Sequence, residues 1–404
     1  MDKEAIARKE LFDRVNKVYT KSSGRVLLES CTGSGKCKIA LDLIKPELEK
    51  GKPLDIVVPQ SKIIQTWEEQ IVEWGYSSYR DQIDIYCDRS LHKHKTVRNT
   101  IFDEAHMITP RITKFLKPKT YTTKLIALSA TVDYSKRSML KELSLNGHNS
   151  VAYSLDEGVE DNIVSPYQVM VVRVPMDGRN KNVHVKSRNG GFYITETANY
   201  KYIDDGLNKL RDDYDEAQLL KFKSASQRQD LRKKVEMAKL WRMKAIYNLR
   251  TKKLASELVL KMIPQDKKVL GFCSTIKQCE ELFDHRYHSK TDSADFDAFT
   301  AGKINRLGAV TALNMGVNVP TVEIALVTQV QSKYIHLAQR AGRTLRKDPN
   351  DPDKKALLIV IVSEAEADML WWAKASQYLD ATRITSIHIT DILGKTFEDV
   401  LKLL

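Results

Sequence analysis

Residues 30–37 read Ser30-Cys31-Thr32-Gly33-Ser34-Gly35-Lys36-Cys37, and residues 103–106 read Asp103-Glu104-Ala105-His106. The first stretch is a glycine turn closed by a lysine. It follows the apolar run Val26-Leu27-Leu28 and precedes a helix-like stretch from Ile39 to Leu48. Strand, glycine turn and helix in that order place backbone N–H groups and a helix N-terminus where they can cradle phosphates, with the lysine adding charge. Thr32, Gly33, Ser34, Gly35, Lys36 and Cys37 are therefore the candidate phosphate-binding residues. The second stretch follows the short apolar step Ile101-Phe102. A carboxylate at the end of a buried strand can hold Mg²⁺, and its neighbour can activate water. Asp103 is the candidate metal anchor and Glu104 the candidate base. Together the two stretches point to nucleotide hydrolysis that drives work.

The bulk properties narrow the partners. A chain of 404 residues is long enough for two or three cores. The net charge of +13 favours a polyanion, and nucleic acid is the natural candidate, although many basic proteins are merely soluble. Five cysteines (Cys31, Cys37, Cys87, Cys273, Cys279) show no CxxC spacing, which fits a reducing cytosol and no structural zinc. The longest apolar run, 356–362, is too short to span a bilayer, and the charged N-terminus has no signal-peptide core. A cytoplasmic location without membrane contact is expected.

Apolar runs at 26–29, 55–59, 83–87, 97–103 and 124–128 read as strands separated by helical segments, the first of these at 4–19 with Ile6, Leu11 and Val15 as core positions. Such alternation predicts an α/β fold with a parallel sheet and crossover helices. An acidic stretch ending in Ser165-Pro166 marks a boundary, giving a first domain over 1–157, a linker over 158–166 and a second domain over 167–404. Within the second, an insertion is expected at about 177–255. It comprises a β-hairpin around Ser187-Arg188-Asn189-Gly190-Gly191 and one or two long helices over 200–263. The α/β pattern resumes at 268–273 and continues at 309–313, 324–327 and 357–362, and the chain from Glu364 onward reads as mostly helical.

Further stretches carry a family resemblance. Val57-Val58-Pro59-Gln60-Ser61-Lys62, Ser129-Ala130-Thr131 and Phe272-Cys273-Ser274-Thr275 resemble motifs Ia, III and IV of the superfamily 2 helicases and translocases of the DEAD/DEAH type. Thr311 to Pro320 and Gln339-Arg340-Ala341-Gly342-Arg343-Thr344-Leu345-Arg346 are similar to motifs V and VI. The likeness runs from residue 26 to about 362 in the family's order. It implies two RecA-like, doubly wound domains with ATP and Mg²⁺ in the cleft between them. It also implies that Arg343 and Arg346 act as arginine fingers, that Gln339 senses the γ-phosphate or its attacking water, and that Gly316 lies at the nucleotide. Ser129 and Thr131 are implied in coupling, and Gln60, Ser274, Thr275 and Thr311 in backbone contacts to nucleic acid. Guanidinium donors on a separate domain would make hydrolysis depend on closure.

Several positions depart from the family pattern. Cys37 stands where a Ser or Thr hydroxyl reaches Mg²⁺, and a neutral thiol is a poor ligand for a hard cation. No glutamine precedes Gln60 to read adenine, Asn318 replaces a common Asp, and Cys87 a common Thr. From Lys209 to Lys253, fourteen Lys/Arg face six Asp/Glu. Arg228, Arg232, Lys233, Lys239 and Arg242, with Trp241 and Tyr247 nearby, form either an accessory phosphate track or a solvated helix packed by Leu231, Val235 and Leu240. The hairpin is either a strand-separating wedge or a plain surface insertion. The leading expectation is an ATP-dependent helicase resembling compact phage-encoded enzymes, acting on branched or duplex DNA in replication or recombination. An RNA helicase, a double-stranded DNA translocase and a non-motor ATP-gated clamp are the alternatives.

Overall fold

Runs of Val, Ile and Leu without polar alternation suit strands buried on both faces, as a parallel sheet covered by helices requires. The computed structural model describes residues 2–94, 98–117, 123–187, 190–220, 224–310, 322–330, 347, 351 and 353–404. The first half holds helix α1 (Lys3–Lys21), β1 (Arg25–Ser30), α2 (Lys36–Glu49), β2 (Leu54–Val58), α3 (Lys62–Glu73), β3 (Ile83–Cys87) and β4 (Asn99–Phe102). It continues through α4 (Pro110–Leu116), β5 (Leu125–Ser129), α5 (Tyr134–Glu142), β6 (Ser150–Tyr153) and α6 (Leu155–Glu160). Its six strands pair in the order β3-β2-β4-β5-β1-β6, all parallel. In α1 the apolar stripe is Ala7, Leu11, Val15 and Tyr19; Ile6, expected in the core, points outward.

The second sheet opens with β7 (Tyr167–Val174). The chain then leaves it for a hairpin, β8 (Val183–Ser187) and β9 (Gly190–Ile194), and for helices α7 (Glu196–Leu220), α8 (Ala225–Tyr247) and α9 (Arg250–Met262). Three helices thus stand where one or two were expected. The Ser224–Gln227 capping box starts α8 and the break at Asn248-Leu249 ends it. There follow β10 (Val269–Cys273), α10 (Ile276–Leu282), β11 (Arg286–Tyr287), α11 (Ala294–Thr300), β12 (Arg306–Val310), β13 (Ile324–Val327) and β14 (Ala356–Ser363). The chain ends in α12 (Glu366–Ser376), β15 (Ile384–His388) and α13 (Phe397–Leu401). The order is β11-β12-β10-β13-β14-β7-β15, again all parallel. Strand β15 corrects the helical reading of the C-terminal stretch. It is a short, half-exposed edge strand on β7, so it lacks the continuous apolar run of its neighbours.

These are two RecA-like parallel sheets with a hairpin-and-helix insertion, as the sequence predicts. One apolar cluster runs from Ala7 and Val26 through Ile163, Val164 and Tyr167 to Val169 and Val360. The segment joining the sheets is therefore packed, not a loose tether. In the second half, Lys252 of α9 and Asp368 of α12 form a fully buried ion pair at 2.8 Å, and Ser363 donates to the same carboxylate oxygen from both N–H and hydroxyl. Burial pulls the Lys252 ammonium below its ordinary pKa, against the attraction of Asp368.

Candidate nucleotide site

Strands β4, β5 and β1 are neighbours, so their C-terminal ends bring three loops together. In parallel α/β sheets this edge is where ligands bind. After β1, Gly33 and Gly35 take φ +89° and +85°, a left-handed backbone that side chains disfavour. The turn delivers the chain to Lys36 at the first position of α2. Lys36 folds back over its own loop and donates to the carbonyls of Ser30 (2.7 Å) and Cys31 (2.9 Å). The hydroxyls of Ser30 and Ser34, both buried, pair at 2.8 Å and brace the turn. Cys37 follows Lys36 on α2, half-buried.

After β4, Asp103 is held from two sides. The buried indole of Trp67 on α3 donates Nε1–H to Oδ2 at 2.9 Å, and the Glu104 N–H donates to Oδ1 at 2.8 Å. Burial first, then the charge of Glu104, pushes the Asp103 carboxyl up to about 6, with the Trp67 bond and Lys36 opposing. Each oxygen retains a lone pair for a cation. Glu104 sits at φ +50°, a strained value for a non-glycine residue. Its Oε2 lies 3.2 Å from His106 Nδ1, which is 3.3 Å from Ser129 Oγ at the end of β5. Ser129 Oγ donates to Thr131 O at 2.7 Å, and His106 Nδ1 sits between two acceptors, Glu104 Oε2 and Ser129 Oγ, with at most one hydrogen to give. Glu104, His106, Ser129 and Thr131 thus form one polar cluster centred on His106 Nδ1. Beyond it, Arg137 on α5 makes a bidentate pair with Glu29 of β1, and Glu29 also accepts from Val132 N–H.

The hydroxyls of Thr32 and Thr131 are buried and have no partner among the described residues. Both line a cavity of about 290 Å³ that Tyr153, Leu155, Gln377 and Leu379 also border, so residues from both halves of the chain meet there. The segment between the sheets packs against the glycine loop that follows β1. A Cβ on Gly158 of α6 would stand 2.9 Å from Cys31 Sγ and 3.2 Å from Val164, and Val164 in turn lies against Gly33. Burial pushes the Cys31 thiol up to about 11, so it packs there as a neutral group.

The residue set is compatible with Mg²⁺ and a nucleotide. Asp103 offers one hard oxygen ligand at the correct strand end, two orphan hydroxyls face a cavity, and Cys37 adds no oxygen ligand. Among the described residues Asp55, Asp84 and His94 also bring ligand atoms within 4.8 Å of one another. There, however, Arg98 pairs with both carboxylates and occupies the place of a cation.

Of the other anticipated residues, Gln60 is exposed beyond β2 and its carbonyl accepts from Ile63 N–H at the start of α3. Ser274 and Thr275 follow β10 in the second sheet. The Ser274 hydroxyl is buried without a partner among the described residues, whereas the Thr275 hydroxyl caps α10 by accepting from Gln278 N–H. Thr311, Gly316, Gln339, Arg343 and Arg346 lie outside the described residues. On α8, Arg242 is tied to Asp204 of α7 at 2.6 Å, and Leu240 is exposed rather than packed. Trp67 is not among the site residues anticipated from sequence. A buried indole N–H requires an acceptor, and that was the available signal.

Two parallel sheets joined in this manner, with a glycine loop, an acidic pair and a serine on the ends of β1, β4 and β5, form a tandem RecA-like fold. Residues 250–348 match the family described as the helicase conserved C-terminal domain. Among solved structures, the fold is similar to the Hef helicase domain of Pyrococcus furiosus (TM-score 0.52, 14% identity, 92% of this chain and 99% of that one). It is also similar to S. cerevisiae Dbp5 bound to RNA and ADP BeF3 (0.54, 15%, 94% and 89%). A third is the ATP-dependent Type ISP restriction-modification enzyme LlaBIII bound to DNA (0.58, 11%), of which this chain covers 31% against 96% of itself. Comparison with curated protein sequences gives no match. No helix among the described residues is long and apolar enough to cross a membrane.

Proposed function

We propose that the protein is an ATP-dependent motor on nucleic acid, a helicase or translocase whose track is branched or duplex DNA. The observation that carries this reading is the placement of Lys36 after β1 and of Asp103 and Glu104 after β4, on either side of β5, with His106 between Glu104 and the end of β5. The match at 250–348, the net charge of +13 and the likeness to enzymes solved on nucleic acid support it. In this reading 1–157 and 167–404 are the two motor domains, joined by 158–166.

Loop N–H groups and Lys36 bind the phosphates. Mg²⁺ at Asp103, when bound, neutralises charge on the phosphate oxygens. Glu104 orients water and accepts its proton, with its carboxylate held 3.2 Å from His106 Nδ1. Arg343 and Arg346 of the second half complete the site on closure, with Gln339 and Gly316 beside the nucleotide. Ser129 and Thr131 transmit the state of Glu104 to the β5 loop. Gln60, Ser274, Thr275 and Thr311 hold the polymer backbone, which positions without reading sequence.

The test is steady-state ATP hydrolysis without polymer and with single-stranded DNA, forked DNA and RNA. Glu104→Gln and Lys36→Ala are each expected to lower turnover by about 10²-fold or more. Stimulation greatest with forked DNA supports the reading. Stimulation by RNA alone would move the track to RNA. Tight ATP-dependent polymer binding with no turnover above the Glu104→Gln blank would replace a motor with a clamp.

A further inference from the structure

Arg8 lies on α1, far from the phosphate loop in sequence, yet its guanidinium rests on that loop. Nη1 donates to the Gly33 carbonyl at 3.2 Å, and a Cβ on Gly35 would stand 3.2 Å from the same nitrogen. The guanidinium therefore spans both left-handed glycines of the cradle. Nε and Nη2 donate to Glu4 Oε1 at 3.0 and 2.9 Å. The other oxygen of Glu4 accepts from Lys347 at 3.2 Å, and Lys347 directly follows the arginine-rich stretch 340–346 of the second half.

A guanidinium has five N–H donors, and the Glu4 and Gly33 bonds use three. Two remain at the rim of a loop shaped for phosphate, where charge-assisted bonds are the strong ones. Glu4 controls how much of that charge is felt. While Lys347 is docked, the carboxylate is shared between two cations and Arg8 is only partly neutralised. When Lys347 departs, the whole carboxylate charge falls on Arg8. We propose that Arg8 is a second cation for the nucleotide's phosphates, and that Glu4 and Lys347 make its hold depend on the second half of the chain. This inference rests on the nucleotide reading above.

The test is the affinity for ADP with Mg²⁺ at low salt, with thermal unfolding alongside, in the full chain. Arg8→Ala is expected to weaken binding about five- to thirtyfold, below the roughly hundredfold upper range of a charge-assisted bond because the group is partly exposed. Arg8→Lys should recover part of it. Glu4→Gln should tighten binding about two- to fivefold and Lys347→Met should weaken it by a similar factor, while adding Lys347→Met to Glu4→Gln should change nothing more. If Arg8 merely braced the loop, Glu4→Gln would loosen its anchor and weaken binding, the opposite sign. Arg8→Ala within twofold of wild type, or weaker binding in Glu4→Gln, overturns the inference while Lys36→Ala still abolishes binding. If the wild type binds no ADP, or Lys36→Ala binds it equally well, the nucleotide reading itself fails and this inference with it.

Discussion

At the residue scale, Asp103 carries opposed demands. Its proposed role as a metal anchor needs an ionised group, yet burial and Glu104 hold its carboxyl up to about 6, above its ordinary 3.8. A carboxyl whose pKa is raised on folding binds its proton more tightly in the folded state. Its contribution to stability is fully present below the unfolded value and is lost as pH rises through the folded one. At pH 8 the ionised group therefore works against folding; Asp103→Asn removes the charge but keeps an acceptor for only one of the Trp67 and Glu104 N–H donors. The stability of Asp103→Asn relative to wild type is expected to rise by on the order of 1–2 kcal/mol from pH 4 to pH 8, on top of a pH-independent cost for the lost acceptor. The same variant should lose Mg²⁺-dependent hydrolysis. In the wild type, protons compete with Mg²⁺, so the Mg²⁺ needed for half-maximal activity should rise as pH falls through about 6. Unfolding scans that show no pH-dependent gap would remove the buried-charge account.

At the scale of elements, α6 is more than a connector. Its capping box, Ser154 with Glu157, fixes where the helix starts, and the buried Ile163 and Val164 fold back beneath it. Gly158 is the contact point, since a methyl there meets Cys31 Sγ and Val164 at distances that require movement. Gly158→Ala is expected to destabilise the protein by about 1–3 kcal/mol and to weaken nucleotide binding together. Cys31→Ala in the same chain should restore much of both by vacating the space. Failure of that rescue would show that the α6 contact does not shape the loop. This contact also marks what was legible in sequence. The positions of Lys36, Asp103 and Glu104 at strand–loop junctions were readable because each sits in a local unit whose neighbours in sequence are its neighbours in space. Gly158 against Cys31, Arg8 on Gly33 and Trp67 on Asp103 are set by tertiary packing across 127, 25 and 36 residues, and no local pattern announces them. Among strands, buried β14 was legible from its apolar run, whereas β15, Ile384-Thr385-Ser386-Ile387-His388, gains its partner only at the sheet edge.

For the whole molecule, the excess charge is unevenly presented. Helix α8 turns Val235, Ala238 and Ile246 inward, and Arg242 is spent on Asp204. Its outward face carries Lys233, Lys234, Met237, Leu240 and Trp241, all exposed. The hairpin exposes Phe192 and Tyr193, with His184 packed beside Tyr193 at a ring distance of 5.0 Å. Exposed rings beside lysines suit stacking and phosphate contact together, neither of which depends on base sequence. Binding carried this way releases counterions, so affinity should fall linearly in log–log form with salt. Between 50 and 200 mM salt the affinity for a single-stranded oligonucleotide is expected to drop at least about tenfold, equally for unrelated sequences. Trp241→Ala should cost about 1–3 kcal/mol of binding while leaving the salt slope unchanged, because it removes a ring and no charge. Lys233→Ala with Lys234→Ala should lower the slope instead. If Trp241→Ala binds as wild type does and the double lysine variant keeps the full slope, α8 is a solvated helix and the track runs elsewhere on the two sheets.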